Sequence, residues 1–139
     1  MAHPTITSDE SAGDPPKRIL FVPVSGPSGI GEYQRSLFLA QSLAERHPQW
    51  DIRIVVSQDA PYVDSVPLPT VRTSRSPTRV PDELDRILER LRPDVVVFDS
   101  AGRRRSLKRA KRLAARTVFV STHARKRWKA FRLSRLRHT

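Results

Sequence analysis

Apolar residues in this chain fall into short unbroken runs separated by stretches of helical spacing. Four runs stand out: Ile19-Leu20-Phe21-Val22 within Lys17–Val24, Ile52 with Ile54-Val55-Val56 within Asp51–Ser57, Val95-Val96-Val97-Phe98 within Asp94–Ser100, and Val118-Phe119-Val120 within Thr117–Ser121. Each is short and rich in β-branched and aromatic residues, which predicts a strand covered on both faces. Between the runs the period changes. Tyr33, Leu37, Ala40 and Ala44 predict a helix over Glu32–Arg46, with Phe38 and Leu43 widening the stripe and Pro48 ending it. Leu84, Ile87, Leu88 and Leu91 form an i, i+3, i+4, i+7 stripe that predicts a helix over Pro81–Arg92. Pro81, Asp82 and Glu83 suit its positive end, Arg90 and Arg92 its negative end, and Pro93 stops it. Leu107, Ala110, Leu113 and Ala114 form the inner face of a basic helix over Arg103–Arg116. The Pro-rich stretch Gln58–Val80 reads as a long loop with a short strand near Thr70–Thr73.

This alternation predicts an α/β fold: a single Rossmann-like domain with a mostly parallel sheet flanked by helices. Three segments are expected. Residues 1–16, rich in Pro, Ser, Thr and Asp, form a disordered leader without the apolar core of a secretory signal. Residues 17–122 form the α/β domain. Residues 123–139 form a basic C-terminal helix or tail. In that last segment Trp128 and Phe131 fall on one side of a helical wheel, and Leu133 and Leu136 on the other. A helix so patterned expects more protein, a partner or a membrane surface.

The candidate chemistry begins at the first strand–helix corner. Gly26, Gly29 and Gly31 follow the Ile19–Val22 run and precede a helix expected to open at about Glu32. Such a turn offers backbone N–H groups and a positive helix end to an anion at the carboxyl edge of the sheet. It is not a Walker A loop: Gly26 and Gly31 have the right gap, but Glu32 and Tyr33 follow where Lys and Ser/Thr are needed. It is not a dinucleotide fingerprint either, since Gln34 stands where a third glycine would follow Gly29-Ile30-Gly31. The candidate phosphate-binding set is Ser25, Gly26, Gly29, Ile30, Gly31 and Arg35 from this corner, Asp99 and Ser100 from a later strand end, and His123 just past the fourth run. Ser74, Ser76 and Thr78 belong to the same edge without a specific signal. Plainer roles stand beside these: glycines that only permit positive φ, an Asp99 that caps the next turn, and an incidental histidine.

Charge sharpens the picture. The chain carries +12, but unevenly. Residues 1–99 hold 11 Lys/Arg against all 14 Asp/Glu, while residues 100–139 hold 15 Lys/Arg and no acid. A strongly basic end on a weakly acidic body suits nucleic acid, anionic lipid headgroups or an acidic partner; a solvated basic face is the bland alternative. The absence of cysteine excludes disulfides and thiolate zinc sites. His3, His47, His123 and His138 lack metal-ligand spacing, and no motif calls for a cofactor. No apolar run approaches the roughly 18 residues of a membrane span.

The corner Gly29-Ile30-Gly31-Glu32-Tyr33-Gln34-Arg35, with Arg92–Ser100 (RPDVVVFDS) and Ala115–His123 (ARTVFVSTH), resembles the N-terminal, acceptor-side domain of GT-B glycosyltransferases. The resemblance is to the branch with a Gly-x-Gly-His-x-x-Arg turn and covers roughly residues 17–137; Glu32 stands in place of the histidine. It implies acceptor binding at this turn in envelope glycan or lipopolysaccharide synthesis, with Glu32 as a catalytic base candidate. A first-turn acid that merely favours the helix dipole is the plainer role for Glu32, and a helix amino terminus makes it a weaker base. The resemblance also implies a donor-binding second domain, supplied by a partner chain or missing beyond Thr139, and a chain inactive without it. A cytoplasmic protein, peripheral on the inner face of the membrane, is the matching location. The alternative is a nucleic-acid-binding protein that uses residues 103–137, with Trp128 and Phe131 stacking on bases.

Overall fold

A computed structural model describes residues 15–27, 30–99, 104–113 and 116–120. Five strands form one sheet: β1 (Arg18–Pro23), β2 (Asp51–Ser57), β3 (Thr70–Thr73), β4 (Val95–Asp99) and β5 (Arg116–Phe119). Three helices connect them: α1 (Ile30–Arg46), α2 (Pro81–Leu91) and α3 (Arg104–Arg112). A single 3-10 turn, Val63–Ser65, interrupts the connection from β2 to β3. All strand pairs are parallel, in the spatial order β3-β2-β1-β4-β5. This is a Rossmann-like doubly wound sheet, and its order reverses between β1 and β4.

The apolar runs are unbroken because the central strands are buried on both sides. Leu20, Val22, Val55, Val71, Val96 and Phe98 pack with Leu84, Ile87 and Leu88 of α2 and Ala110 of α3. Their chain neighbours Ile19, Phe21, Ile52, Ile54, Val56 and Val97 pack on the opposite face with Tyr33 and Ala40 of α1. Successive strand side chains point to opposite faces, so each run divides between two cores. Phe119 of β5 stacks on Phe98 at 5.6 Å and extends the first core toward the sheet edge.

Element ends differ from the sequence expectations by a few residues. Helix α1 opens at Ile30 rather than at about Glu32, which puts Gly31 in its first turn. Helix α2 ends at Leu91, and Arg92 closes it in the left-handed region (φ 47°) with its N–H donating to the Leu88 carbonyl. Pro93 then prevents a further turn. Helix α3 ends at Arg112, four residues before the expected Arg116, which instead begins β5 by donating its N–H to the Asp94 carbonyl. The expected leader (mostly) and the helix from residue 123 lie outside the described residues, as do the side chains of Leu107 and Ala114.

Leu88 is fully buried between α2 and the sheet. Leu88→Ala is expected to lower unfolding stability by about 2–5 kcal/mol. Urea titration followed by circular dichroism measures this; a loss under about 0.5 kcal/mol is what a surface site gives and would contradict the packing.

Candidate functional site

In an open parallel sheet, ligands gather beyond the carboxyl ends of the strands where the strand order reverses. Here that point lies between β1 and β4, and an ion pair occupies it. Asp99, the last residue of β4, is 2 % exposed. Arg35 reaches it from α1 with both arms of its guanidinium: Nε donates to Oδ2 at 2.8 Å and Nη2 to Oδ1 at 2.5 Å. Ser36 Oγ lies 3.5 Å from the same Oδ2. The hydrogen bond to Asp99 raises the Arg35 pKa above its usual value, against a smaller opposing effect of burial. Fork-to-fork geometry of this kind is strong and directional. It ties the helix after β1 to the strand on the far side of the switch point.

The turn after β1 is also held from within. Ser57 N–H donates to Ser25 Oγ at 2.9 Å, and Ser25 N–H donates to Ser76 Oγ at 3.3 Å. Ser25 thus links the carboxyl ends of β1 and β2 to the loop after β3. Gly26 has φ 136°, a region that L side chains rarely adopt, so the turn needs glycine for its backbone. Tyr62 stacks on Tyr33 at 4.0 Å and braces the loop after β2 against α1. Burial raises the Tyr62 pKa, and its hydroxyl lies near the Gly26 main chain without completing a hydrogen bond.

Beside this turn lies a cleft of about 620 Å³ whose walls include Ser25, Asp59, Arg75, Ser76, Thr78 and Arg79. Its far wall is the loop between β3 and α2, which is fastened at several points. Gln58 N–H donates to the Thr73 carbonyl at 2.7 Å, and Thr73 Oγ1 donates to the Arg75 carbonyl at 2.5 Å. Ser76 Oγ lies 3.2 Å from Thr78 Oγ1, and Arg79 N–H donates to the Ser76 carbonyl at 2.8 Å. Ser74 donates both its N–H and its hydroxyl to the Glu83 carboxylate in the first turn of α2. Those hydrogen bonds, the side-chain one foremost, hold the Glu83 pKa below its ordinary value. Among the described residues, neither Arg75 nor Arg79 has a carboxylate within ion-pair distance.

The candidate residues therefore separate. Arg35 and Asp99 come together, but as partners of each other. Ser25 lines the cleft with its N–H and hydroxyl already engaged. Gly26 shapes the turn. Ile30 and Gly31 are exposed on the first turn of α1, where a Cβ added to Gly31 would meet nothing within 4 Å. Glu32 is half-buried on the same turn and close enough to act electrostatically on Arg35, yet the carboxylate in the cleft wall is Asp59. Gly29, Ser100 and His123 lie outside the described residues. Ser76 and Thr78, which had no specific signal, line the cleft. Arg75, Arg79 and Asp59 were not singled out; their one sequence signal is a pair of arginines four apart in a long Pro-rich loop.

Comparison with protein-family models and with curated proteins finds no match to this chain. Among the described residues, no group of three or more His, Asp or Glu is placed to hold a metal ion, and no helix is long and apolar enough to cross a membrane.

Arg35→Ala leaves the buried Asp99 carboxylate without its partner and is expected to cost on the order of 3 kcal/mol. The double replacement Arg35→Met with Asp99→Leu is expected to cost clearly less, because no stranded charge remains. Chemical denaturation of both variants checks this; equal losses would mean that the pair contributes packing alone. The Ser74–Glu83 tie should respond to pH. Glu83 takes up its proton at lower pH when folded than when unfolded, so its contribution is complete above the unfolded value and fades as pH falls through the folded one. Thermal melts from pH 7 down to pH 3 should lose part of their acid dependence in Glu83→Gln; an unchanged profile would count against the tie.

Proposed function

We propose that this domain is the acceptor-binding half of a GT-B-like glycosyltransferase of envelope glycan or lipopolysaccharide synthesis. The observation that carries the reading is the cleft: it opens at the carboxyl edge of an all-parallel 3-2-1-4-5 sheet, beside the glycine-containing turn after β1. Its volume of about 620 Å³ suits a small ligand or one end of a larger one. Supporting residues are polar or cationic: hydroxyls of Ser76 and Thr78 and guanidinium groups of Arg75 and Arg79. The resemblance at Gly29–Arg35 supplies the reaction class. In this reading an acceptor hydroxyl attacks the anomeric carbon of a nucleotide sugar. The new C–O bond forms as the bond to the nucleotide diphosphate breaks, and the hydroxyl proton passes to a carboxylate; the resemblance offers Glu32, which stands on the first turn of α1 beside the cleft rather than in its wall. The donor is held by a second domain, in a longer chain or on a partner, so this domain by itself transfers nothing.

Isothermal titration of the chain is expected to register a saccharide-phosphate acceptor lipid in detergent and little binding of UDP-, GDP- or dTDP-sugars. Radiolabel transfer from those donors should stay at background. Turnover by the chain alone, or tight nucleotide-sugar binding without acceptor binding, would overturn the proposal.

A second reading rests on α3. Lys108, Lys111 and Arg112 are exposed on this helix, while Arg109 reaches Glu89 of α2 at 3.0 Å. This is the start of the basic region and supplies phosphate contacts to nucleic acid, or in the first reading to anionic lipid. Titration of salt against RNA and against phosphatidylglycerol vesicles separates them. Steeply salt-dependent RNA binding with weak vesicle binding favours the nucleic-acid reading, and the reverse favours membrane attachment.

A further inference from the structure

We propose that the cleft is a sugar-phosphate site in which Arg75 and Arg79 take the phosphate and Asp59 takes a sugar hydroxyl; the inference deepens the acceptor reading, and rests on it only for the ligand's wider role. Three features of the cleft carry it.

The first is the sign and placement of charge. Two guanidinium groups stand on the loop after β3, and a single carboxylate, Asp59, stands on the loop after β2. None of the three is within ion-pair distance of another charged group among the described residues, so the cationic and anionic sides face the cleft without neutralising each other. A phosphate alone would satisfy one side and be repelled by the other. A neutral sugar would leave both arginines without partners. A phosphate joined to a hydroxyl-bearing ring matches both. Arginine suits the phosphate because its planar fork can donate two parallel hydrogen bonds.

The second is the hydrogen-bonding capacity left over. Asp59 Oδ1 accepts the hydroxyl of Ser57, while no described residue donates to Oδ2. Ser76 and Thr78 bring hydroxyls to the arginine side; Ser76 Oγ already accepts from the Ser25 N–H and shares one contact with Thr78 Oγ1. With Ser76 donating to Thr78 Oγ1, the Thr78 hydroxyl hydrogen is left to donate to a phosphate oxygen; with the direction reversed, the Ser76 hydrogen is left instead.

The third is preorganisation. The loop that bears the arginines is fixed by the Gln58–Thr73, Thr73–Arg75, Ser25–Ser76 and Ser74–Glu83 hydrogen bonds. Ser76 at its centre is 8 % exposed. A loop held this firmly loses little freedom when a ligand arrives.

The test uses glucose 1-phosphate, inorganic phosphate and glucose as probes, with titrations followed by amide chemical shifts of the full chain. Glucose 1-phosphate is expected to bind more tightly than either part, with shifts at Asp59 and at Arg75–Arg79. Arg75→Ala and Arg79→Ala should each weaken it about tenfold, as for a lost charge-assisted hydrogen bond. Arg75→Lys with Arg79→Lys keeps the charge but loses the fork and should fall between. Asp59→Ala removes both the acceptor and the repulsion, and should narrow the preference for glucose 1-phosphate over inorganic phosphate. Melting temperatures confirm that the variants remain folded, since both arginines are exposed. Glucose 1-phosphate binding that ignores all these substitutions, or equal affinity for inorganic phosphate in the unmodified chain, would overturn the site. Arginine-dependent sugar-phosphate binding alongside failure of the acceptor lipid to bind would keep this site and remove the glycosyltransferase reading. Acceptor-lipid binding insensitive to Arg75 and Arg79 would do the opposite.

Discussion

Parallel pairing delivers the carboxyl end of every strand to the same edge of the sheet, and the rest of this molecule follows from that constraint. Central strands in such a sheet have no wet face, so their interiors are restricted to apolar residues and polar chemistry is pushed to the ends. Ser25, Ser57, Thr73 and Asp99 each lie at or just beyond the carboxyl end of β1, β2, β3 or β4. All four are buried, and each has at least one hydrogen-bond partner. Burial of so many polar groups at one edge is tolerable only because they satisfy one another.

That mutual satisfaction determines which groups remain for a ligand. At the switch point between β1 and β4, the Arg35–Asp99 pair closes on itself and serves to anchor α1. On the other flank of β1, the serine chain from Ser57 through Ser25 to Ser76 draws the β3–α2 loop over the sheet edge. This loop then carries Arg75 and Arg79, neither within ion-pair distance of a carboxylate among the described residues, into the cleft that Asp59 also lines. The charge asymmetry of the cleft thus arises where the internal hydrogen bonding ends, one loop away from the glycine-containing turn.

The two faces of the sheet are unequally charged. Helix α1 covers one face with a mixed surface. The other face carries α2, with its acids in the first turn, and α3, whose exposed Lys108, Lys111 and Arg112 belong to the basic stretch. The α2–α3 contact through Glu89 and Arg109 is solvent-exposed and adds little stability by itself. Ala110 and Leu113 hold α3 down, so the helix docks by its apolar side and displays its cations.

Periodicity alone determined most of the fold. The runs at Ile19–Val22, Ile54–Val56 and Val95–Phe98 are strands because no other short element buries consecutive apolar residues on two sides. The Leu84–Leu91 stripe is a helix for the equally local reason of 3.6-residue spacing. Glycine at position 26 was legible as a turn, and its positive φ bears out the backbone need. Helix ends were less legible: Arg92 leaves α2 by taking the left-handed region, and Arg116 joins the sheet through the Asp94 carbonyl of a preceding segment. Tertiary structure alone decided the site. That Arg35 would meet Asp99, 64 residues later, depends on β4 lying beside β1. That Arg75 and Arg79 would face Asp59 depends on a serine at position 76 reaching the turn after β1. A pattern of apolar residues specifies which elements form and which face each buries; the partners of a charge are set by which strand ends the folded sheet brings side by side.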